Sequence, residues 1–288
     1  MTVDTVSNND YLKKLHNEIL IIMDEIDRIC KLRGLRYYLA SGSCLGALRH
    51  KGFIPWDDDL DIMMPFEDFR LLIDTLNKDL SNEFYLKWIT TEKEYYHDYA
   101  KICLKNTQFI ENECEQGIFV DIFPLYPSTK YSFIVLLKKK IYIILSAALY
   151  CKSKKNLSWK PRNWLINILS KTLNSQTIYK LILYVIHPLK ENKAEYYACY
   201  PSVYPINRQI TPIDWYRECV SMQFEDRYYW CAIDSDKKMQ FEYGKDYMEL
   251  PPIEKRKTHY PLLVRLSDGS TFQFAKTTNK VTYEDIIK

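Results

Sequence analysis

A run of carboxylates leading straight into an apolar strand constrains this chain more than any other feature: Trp56-Asp57-Asp58-Asp59-Leu60-Asp61-Ile62-Met63-Met64, closed by Pro65. Side chains of an extended chain alternate, so Asp59 and Asp61 share one face while Leu60 and Ile62 enter a core on the other. Asp57 lies on the same alternation nearer the turn, as a ligand or as support for the ligands, and Asp58 points away. Like charges this close repel and need a counter-charge. A solvated acidic turn would run on into polar residues, whereas Ile-Met-Met is the composition of a buried strand. The pattern therefore predicts a divalent cation on Asp59 and Asp61. Because the ligands are carboxylates, with no His or Cys among them, the expected metal is Mg²⁺ or Mn²⁺, shared with the phosphates of a substrate. An EF-hand is excluded, since counting from Asp57 places Ile62 where Gly is required and Asp68 where a bidentate Glu belongs.

Upstream, Tyr37 to Ala40 reads as a short buried strand with Gly42-Ser43 as its exit turn. Cys44 to Lys51 then reads as a short helix with Ser43 as its N-cap. Unpaired amides and the dipole at a helix N-terminus attract phosphate, which makes Gly42 and Ser43 candidate phosphate anchors. Arg49, His50 and Lys51, a turn further on, are candidates for pairing with the same phosphates. Downstream, Gly117 to Leu125 reads as an apolar strand in which Asp121 is the only charge. A buried carboxylate without a partner costs several kcal/mol. The economical partner is the same cation, which would bring Asp59, Asp61 and Asp121 together from two strands.

Around this centre, residues 9 to 33 carry apolar positions at spacings of three and four, the mark of a long amphipathic helix stopped by Gly34. Phe66 to Leu80 reads as a second helix. Phe84 to Thr90, Tyr99 to Leu104 and Gln108 to Glu113 read as strands, the last two joined as a hairpin through Lys105-Asn106-Thr107. Residues 128 to 190 hold twelve Lys or Arg and no Asp or Glu, which leaves the remainder at −9 against a total of +3. This segment reads as Lys-rich helices. Its longest uncharged run, Ile141 to Cys151, is about 16 Å long as a helix, too short for a hydrocarbon core of about 30 Å. Such helices suit either an anionic membrane surface or a phosphorylated acceptor. No nucleic-acid module accompanies the charge. Mixed α/β composition resumes at Tyr196, with a helix over Asp234 to Tyr243, a basic patch at 254 to 259, and a hairpin through Asp268-Gly269 in the tail. Eight Cys at irregular spacings, with no C-x-x-C pair, indicate neither zinc nor disulfides. With a polar N-terminus lacking a signal h-region, the expected location is cytoplasmic, peripheral on the inner face of the cell membrane where the basic helices bind it.

Three motifs resemble the LicD family of phosphotransferases, whose animal relatives include fukutin and fukutin-related protein. They are G-S-C-L-G-A-L-R-H-K-G-F-I-P-W-D-D-D-L-D-I from Gly42 to Ile62, F-V-D-I-F-P-L from Phe119 to Leu125, and F-E-Y-G-K-D-Y-M-E-L-P-P-I-E-K-R from Phe241 to Arg256, with His259 just after. The resemblance covers residues 10 to 130 and 195 to 260. It implies an α+β, nucleotidyltransferase-type mixed sheet flanked by helices, with the Lys-rich helices as an insertion. The organisation expected is a catalytic core over 1–127, the basic insertion over 128–195, the core resumed over 196–260, and a tail over 261–288. The resemblance further implies metal ligation by Asp59, Asp61 and Asp121 and phosphate binding at Gly42 and Ser43. The expected reaction transfers phosphocholine, phosphoribitol or phosphoglycerol from a CDP-linked donor to a hydroxyl of a surface glycan, free or lipid-linked, releasing CMP. Capsular polysaccharide, teichoic acid and lipopolysaccharide are the acceptor classes. Asp121 is the expected general base, and Lys255, Arg256 and His259 are further candidate phosphate contacts. The rival readings are a D-x-D glycosyltransferase, a strict nucleotidyltransferase, and a membrane-surface glycan-binding protein without activity.

Overall fold

In the computed structural model the described residues are 8–92, 95–111, 114–153, 164–187, 190–252, 254, 256 and 261–274. The chain enters as α1 (Asn8–Arg33), whose Leu15, Ile19, Ile22, Ile26 and Ile29 are all buried. Gly34, at φ +66°, ends it as expected. There follow β1 (Tyr38–Leu39), α2 (Ser41–His50), β2 (Asp61–Pro65), α3 (Phe66–Asp79), β3 (Phe84–Lys87), β4 (Ala100–Leu104), β5 (Gln108–Glu111), β6 (Cys114–Gln116) and β7 (Phe119–Ser128). Three helices come next, α4 (Phe133–Ser153), α5 (Trp164–Thr172) and α6 (Ser175–Ile186). The chain closes with β8 (Tyr196–Ala198), β9 (Ile210–Pro212), β10 (Cys219–Phe224), β11 (Arg227–Ala232), α7 (Ser235–Tyr243), β12 (Leu263–Arg265) and β13 (Thr271–Gln273).

The molecule is a mixed α+β fold with β7 at its centre. The main sheet runs β1-β2-β7-β4-β3, with β8 and β9 continuing from the far half of β7. β2 and β7 are parallel and the other neighbours antiparallel. β7 is accordingly apolar along its length, apart from Asp121 and the terminal Ser128. α1 and α3 pack on this sheet through Ile26, Ile29, Phe69 and Leu72, which join Ile62, Met64, Ile102 and Ile122 in one core.

Three expectations need correcting. First, α2 begins at Ser41 with Ala40 as its N-cap, so Ser43 lies inside the first turn. Its hydroxyl is engaged elsewhere, accepting the Asp61 amide at 2.9 Å. Second, β2 begins only at Asp61, so Asp57 to Leu60 are irregular chain. Third, β4 and β5 do not pair: Lys105-Asn106-Thr107 reverses the chain, but β5 joins β6 and β12 in a separate sheet of order β13-β12-β5-β6. Residues 261–274 pack onto the body of the fold. The expected hairpin forms around Gly269 at φ +83°, β12 pairs Leu263 with Ile110, and Phe272 and Phe274 close on Tyr11 at 5.2 and 4.8 Å.

The basic segment forms α4, α5 and α6. Val135, Tyr142, Leu145, Ala148 and Leu149 of α4 and Ile178, Ile182 and Ile186 of α6 turn inward to the shared core. Phe133, Ile134, Leu137, Trp164, Ile168 and Tyr184 remain exposed. Among the described residues, no helix is long and apolar enough to cross a membrane. All eight cysteines are free.

Candidate active site

The strand register builds the site. Parallel β2 and β7 set Asp61 opposite Asp121. Antiparallel β4 sets Lys101 opposite Asp121 on the other side, and β3 sets Lys87 opposite Lys101. Registered neighbours on adjacent strands lie about 5 Å apart and project to the same face. Asp61, Asp121, Lys101 and Lys87 therefore form one row across four strands, two negative charges followed by two positive ones. All four line a cavity of about 1640 Å³, which Gly42, Arg49, Asp57 and Asp59 also line.

Asp121 has a partner within the protein. The Lys101 ammonium reaches its Oδ1 at 2.5 Å, and that ammonium also lies 3.5 Å from the centroid of Phe119 and 5.4 Å from that of Tyr99. A lone Asp in an apolar strand did require a counter-charge, and the structure supplies a lysine from the next strand. Lys101 and Lys87 were missed in the sequence, although the same signal marks them: Lys101 sits within Ala-Lys-Ile-Cys-Leu and Lys87 at the end of Phe-Tyr-Leu-Lys, both as buried as Asp121.

The acidic run keeps its alternation even where it is irregular. Asp57, Asp59 and Asp61 face the cavity, while Leu60 and Asp58 are buried away from it. The charge of Asp58 is felt at Tyr11 and His16 on α1, as expected of a side chain turned from the cleft. His16 accounts for the fixed path of this run. Its ring stacks on Phe53 at 3.8 Å and its Nε2 meets the Asp57 carbonyl at 2.7 Å, and burial lowers its pKa.

The first turn of α2 faces the cavity through Ser41 and Gly42. A Cβ at position 42 would lie 2.7 Å from Asp57 Oδ2, so Gly42 is what lets the Asp57 carboxylate close on the positive end of this helix. The place expected for a phosphate is thus bordered by a carboxylate of the chain itself. Ser43 is buried and holds the Asp61 backbone instead of lining the cavity.

The basic candidates divide. Arg49 lines the cavity and donates to the carbonyls of Tyr247 and Glu249 at 2.9 and 3.0 Å, tying down the chain after α7. His50 is edge-on to Trp56 at 6.4 Å, and burial followed by the Arg49 charge lowers its pKa. The Arg256 guanidinium lies 4.7 Å above Trp56, itself a lining residue. Lys51 is exposed at the end of α2 with φ +58° and does not line the cavity. Lys255 and His259 lie outside the described residues.

The walls are aromatic: Tyr95, Tyr96, Tyr99, Phe123, Tyr204 and Tyr243 among others. Tyr204 and Tyr243 meet edge-on at 5.9 Å. Burial raises the pKa of both hydroxyls, with Asp61 adding to the effect on each. His97 has a pKa well below the usual imidazole value because it is buried and because Lys101 and Lys87 face it.

The residues present fit a hard cation in their chemistry. Among the described residues no group of three or more His, Cys, Asp or Glu converges into a cage. Mg²⁺, however, is usually held by one or two carboxylates with substrate phosphates and water. Asp61 and Asp121, in register on adjacent strands, present that smaller donor set, with Asp59 lining the same cavity.

Two carboxylates in register at the head of two parallel strands, beside a helix N-terminus and the buried Lys87 and Lys101, are groups that can hold a hard cation and phosphate oxygens together. Comparison with known proteins agrees. Residues 34–142 match the family described as LicD/FKTN/FKRP, nucleotidyltransferase domain. The chain is 28% identical over 257 residues to the lipopolysaccharide cholinephosphotransferase LicD of Haemophilus influenzae, covering 84% of this chain and 92% of that protein. It is 30% identical over 99 residues to the ribitol 5-phosphate transferase FKRP of Mus musculus, covering 34% of this chain and 18% of that protein. Residues 34–142 thus carry a LicD-type domain, and the named relatives that align with the chain are phosphotransferases.

Proposed function

We propose that this protein transfers a phospho-alcohol group, phosphocholine foremost, from a CDP-linked donor to a hydroxyl of a bacterial surface glycan, releasing CMP. The observation that carries this reading is the registered Asp61–Asp121 pair at the wall of a large cleft within a LicD domain. The glycan and choline components come from the named relative, a lipopolysaccharide cholinephosphotransferase. Choline is favoured over ribitol because the trimethylammonium group suits aromatic faces beside carboxylates, and Tyr204 and Tyr243 stand near Asp61.

In the proposed reaction the acceptor hydroxyl oxygen attacks the phosphorus of the phosphocholine half of the donor. The bond from that phosphorus to the bridging oxygen breaks, and CMP leaves with the bond's electrons. Asp61 and Asp121, with Asp59, would hold Mg²⁺ or Mn²⁺, which would supply neutralisation of the diphosphate charge. Asp121 accepts the hydroxyl proton. Arg49 keeps the loop after α7 closed against the cleft through its two carbonyl contacts. The acceptor is proposed to arrive along a membrane surface engaged by the exposed lysines and apolar residues of α4 and α5, and α4 also lines the cleft through Lys139, Tyr142 and Ser146.

The test is incubation with CDP-choline, CDP-ribitol or CDP-glycerol, Mg²⁺ and a glycan acceptor, reading CMP. Asp61→Asn and Asp121→Asn should each lower turnover by about a thousandfold or more, as expected when groups that stabilise the transition state are removed, with melting temperature retained for Asp61→Asn. Appearance of choline phosphate with nucleotide on the glycan, instead of CMP, would assign strict nucleotidyl transfer, the activity that the family's description names.

A further inference from the structure

Two lysines stand directly opposite each other in the wall of the cleft, Lys87 on β3 and Lys101 on β4, with relative exposures of only 7% and 6%. Like charges facing across a strand pair are destabilising, and burying each ammonium adds to the cost. A purely structural pair at these positions would be served better by Thr or Val. Their present partners are carboxylates that another ligand can replace. Lys101 holds Asp121 at 2.5 Å, and Lys87 reaches Glu92 at 3.6 Å, where the Glu92 side chain is 37% exposed. The ring beside them, His97, is driven toward its neutral form by its own burial and then by their field, so the positive charge of this wall is that of the two lysines. Glu111 and Gln116 also line the cavity.

We propose that Lys87 and Lys101 form an anion seat for a diphosphate group, and that Lys101 exchanges Asp121 for that anion when substrate enters. This rests on the reading of the protein as a transferase acting on a diphosphate-bearing donor. The row Asp61, Asp121, Lys101, Lys87 then has a division of labour. Its acidic half takes a divalent cation, its basic half takes phosphate oxygens, and the Lys101–Asp121 bond closes the site between substrates. As long as Lys101 occupies Asp121 it competes with any cation for the same carboxylate, so release of Asp121 couples cation binding to anion binding.

The proposal makes the two ligands respond with opposite sign. Calorimetric titrations with Mg²⁺ alone, inorganic pyrophosphate and CDP should be run on the full chain and on Lys101→Met, Lys87→Met and Lys87→Arg. Lys101→Met should weaken pyrophosphate and CDP at least tenfold while tightening Mg²⁺, because a competitor has left Asp121. Lys87→Met should weaken both anions at least tenfold without changing Mg²⁺, and Lys87→Arg should restore most of the loss. If Lys101→Met proves unfolded by thermal melting, Lys87→Met carries the test, since its partner Glu92 reaches solvent. Anion binding as in the wild type in folded Lys87→Met would overturn the proposal, as would parallel loss of Mg²⁺ and pyrophosphate in folded Lys101→Met. Loss of pyrophosphate binding alone, with CDP unaffected, would overturn the assignment to the donor. Failure of the wild type to release CMP from any CDP donor would sink the functional reading while leaving these binding results intact.

Discussion

Asp98 borders the cleft, and burial raises its carboxyl to a pKa of about 6 even though the Tyr142 hydroxyl donates to it at 2.8 Å. In the unfolded chain the same group titrates near 3.9. Between these values the folded state binds more protons than the unfolded state, so this residue's contribution to stability falls as pH rises from about 4 to about 6 and stays low above that. The full penalty is on the order of 2 to 3 kcal/mol. Asp98→Asn keeps an acceptor for Tyr142 and removes the charge. It should raise the melting temperature relative to the wild type at pH 7 to 8, with the gain vanishing toward pH 4. A gain independent of pH would show that Asp98 is not the titrating group. Residues of this kind separate what a sequence reveals from what it conceals. Asp121 stood out as a charge in an apolar strand, and a partner was required of it. That the partner would be Lys101 depended on β4 lying beside β7, a pairing between residues 20 positions apart that no local pattern announces. Asp57 and Gly42 are coupled in the same hidden way, through a contact that only a missing Cβ permits.

Helices were the legible elements. α1, α3 and α7 fall within a residue or two of their expected spans because caps, breakers and apolar spacing are local signals. Sheet partners were not: the turn at Lys105 to Thr107 correctly reversed the chain, but β5 completes its pairing with β12, more than 150 residues on. α7 shows an element whose stability rests on a pair the periodicity does not disclose. Lys238 and Glu242, one helical turn apart, meet at 2.6 Å with side chains only 3% exposed. Burial opposes the lysine charge, but Glu242 outweighs it and raises the Lys238 pKa. Removing one member strands the other as a buried charge. Lys238→Met should therefore cost about 3 to 5 kcal/mol, read as a fall in the urea midpoint. Replacing both, Lys238→Met with Glu242→Leu, should recover most of that loss. A double variant no more stable than the single would mean that the pair contributes net stability to α7.

At the scale of the whole molecule, the proposed chemistry needs the acidic half of the chain and the basic helices to meet, and α4 is where they do. Its inner face supplies Tyr142 to Asp98 and lines the cleft, while its outer face exposes Phe133 at 79% and Ile134 at 63%, with half-buried Lys138 about one turn and exposed Lys140 about two turns further on. α5 adds Trp164 and Ile168 to the exposed apolar set. Apolar anchors among lysines match the acyl boundary and the anionic headgroups of a bilayer respectively. Docking by this surface would bring a lipid-linked glycan to the cleft without any spanning helix. Lys139 cannot serve as a probe, because its ammonium donates to the Tyr200 and Ser202 carbonyls at 2.6 and 3.3 Å and its replacement would disturb the fold. Lys138→Glu with Lys140→Glu is the clean reversal. Each lysine near an anionic surface contributes about 1 kcal/mol, so reversing two should weaken sedimentation with phosphatidylglycerol vesicles at least tenfold. CMP release with a water-soluble acceptor should stay at the wild-type level, since neither side chain lines the cavity. Unchanged binding to phosphatidylglycerol vesicles, or equal binding of the wild type to neutral phosphatidylcholine vesicles, would remove the membrane from the mechanism and leave the α4 lysines as a solvated face of that helix.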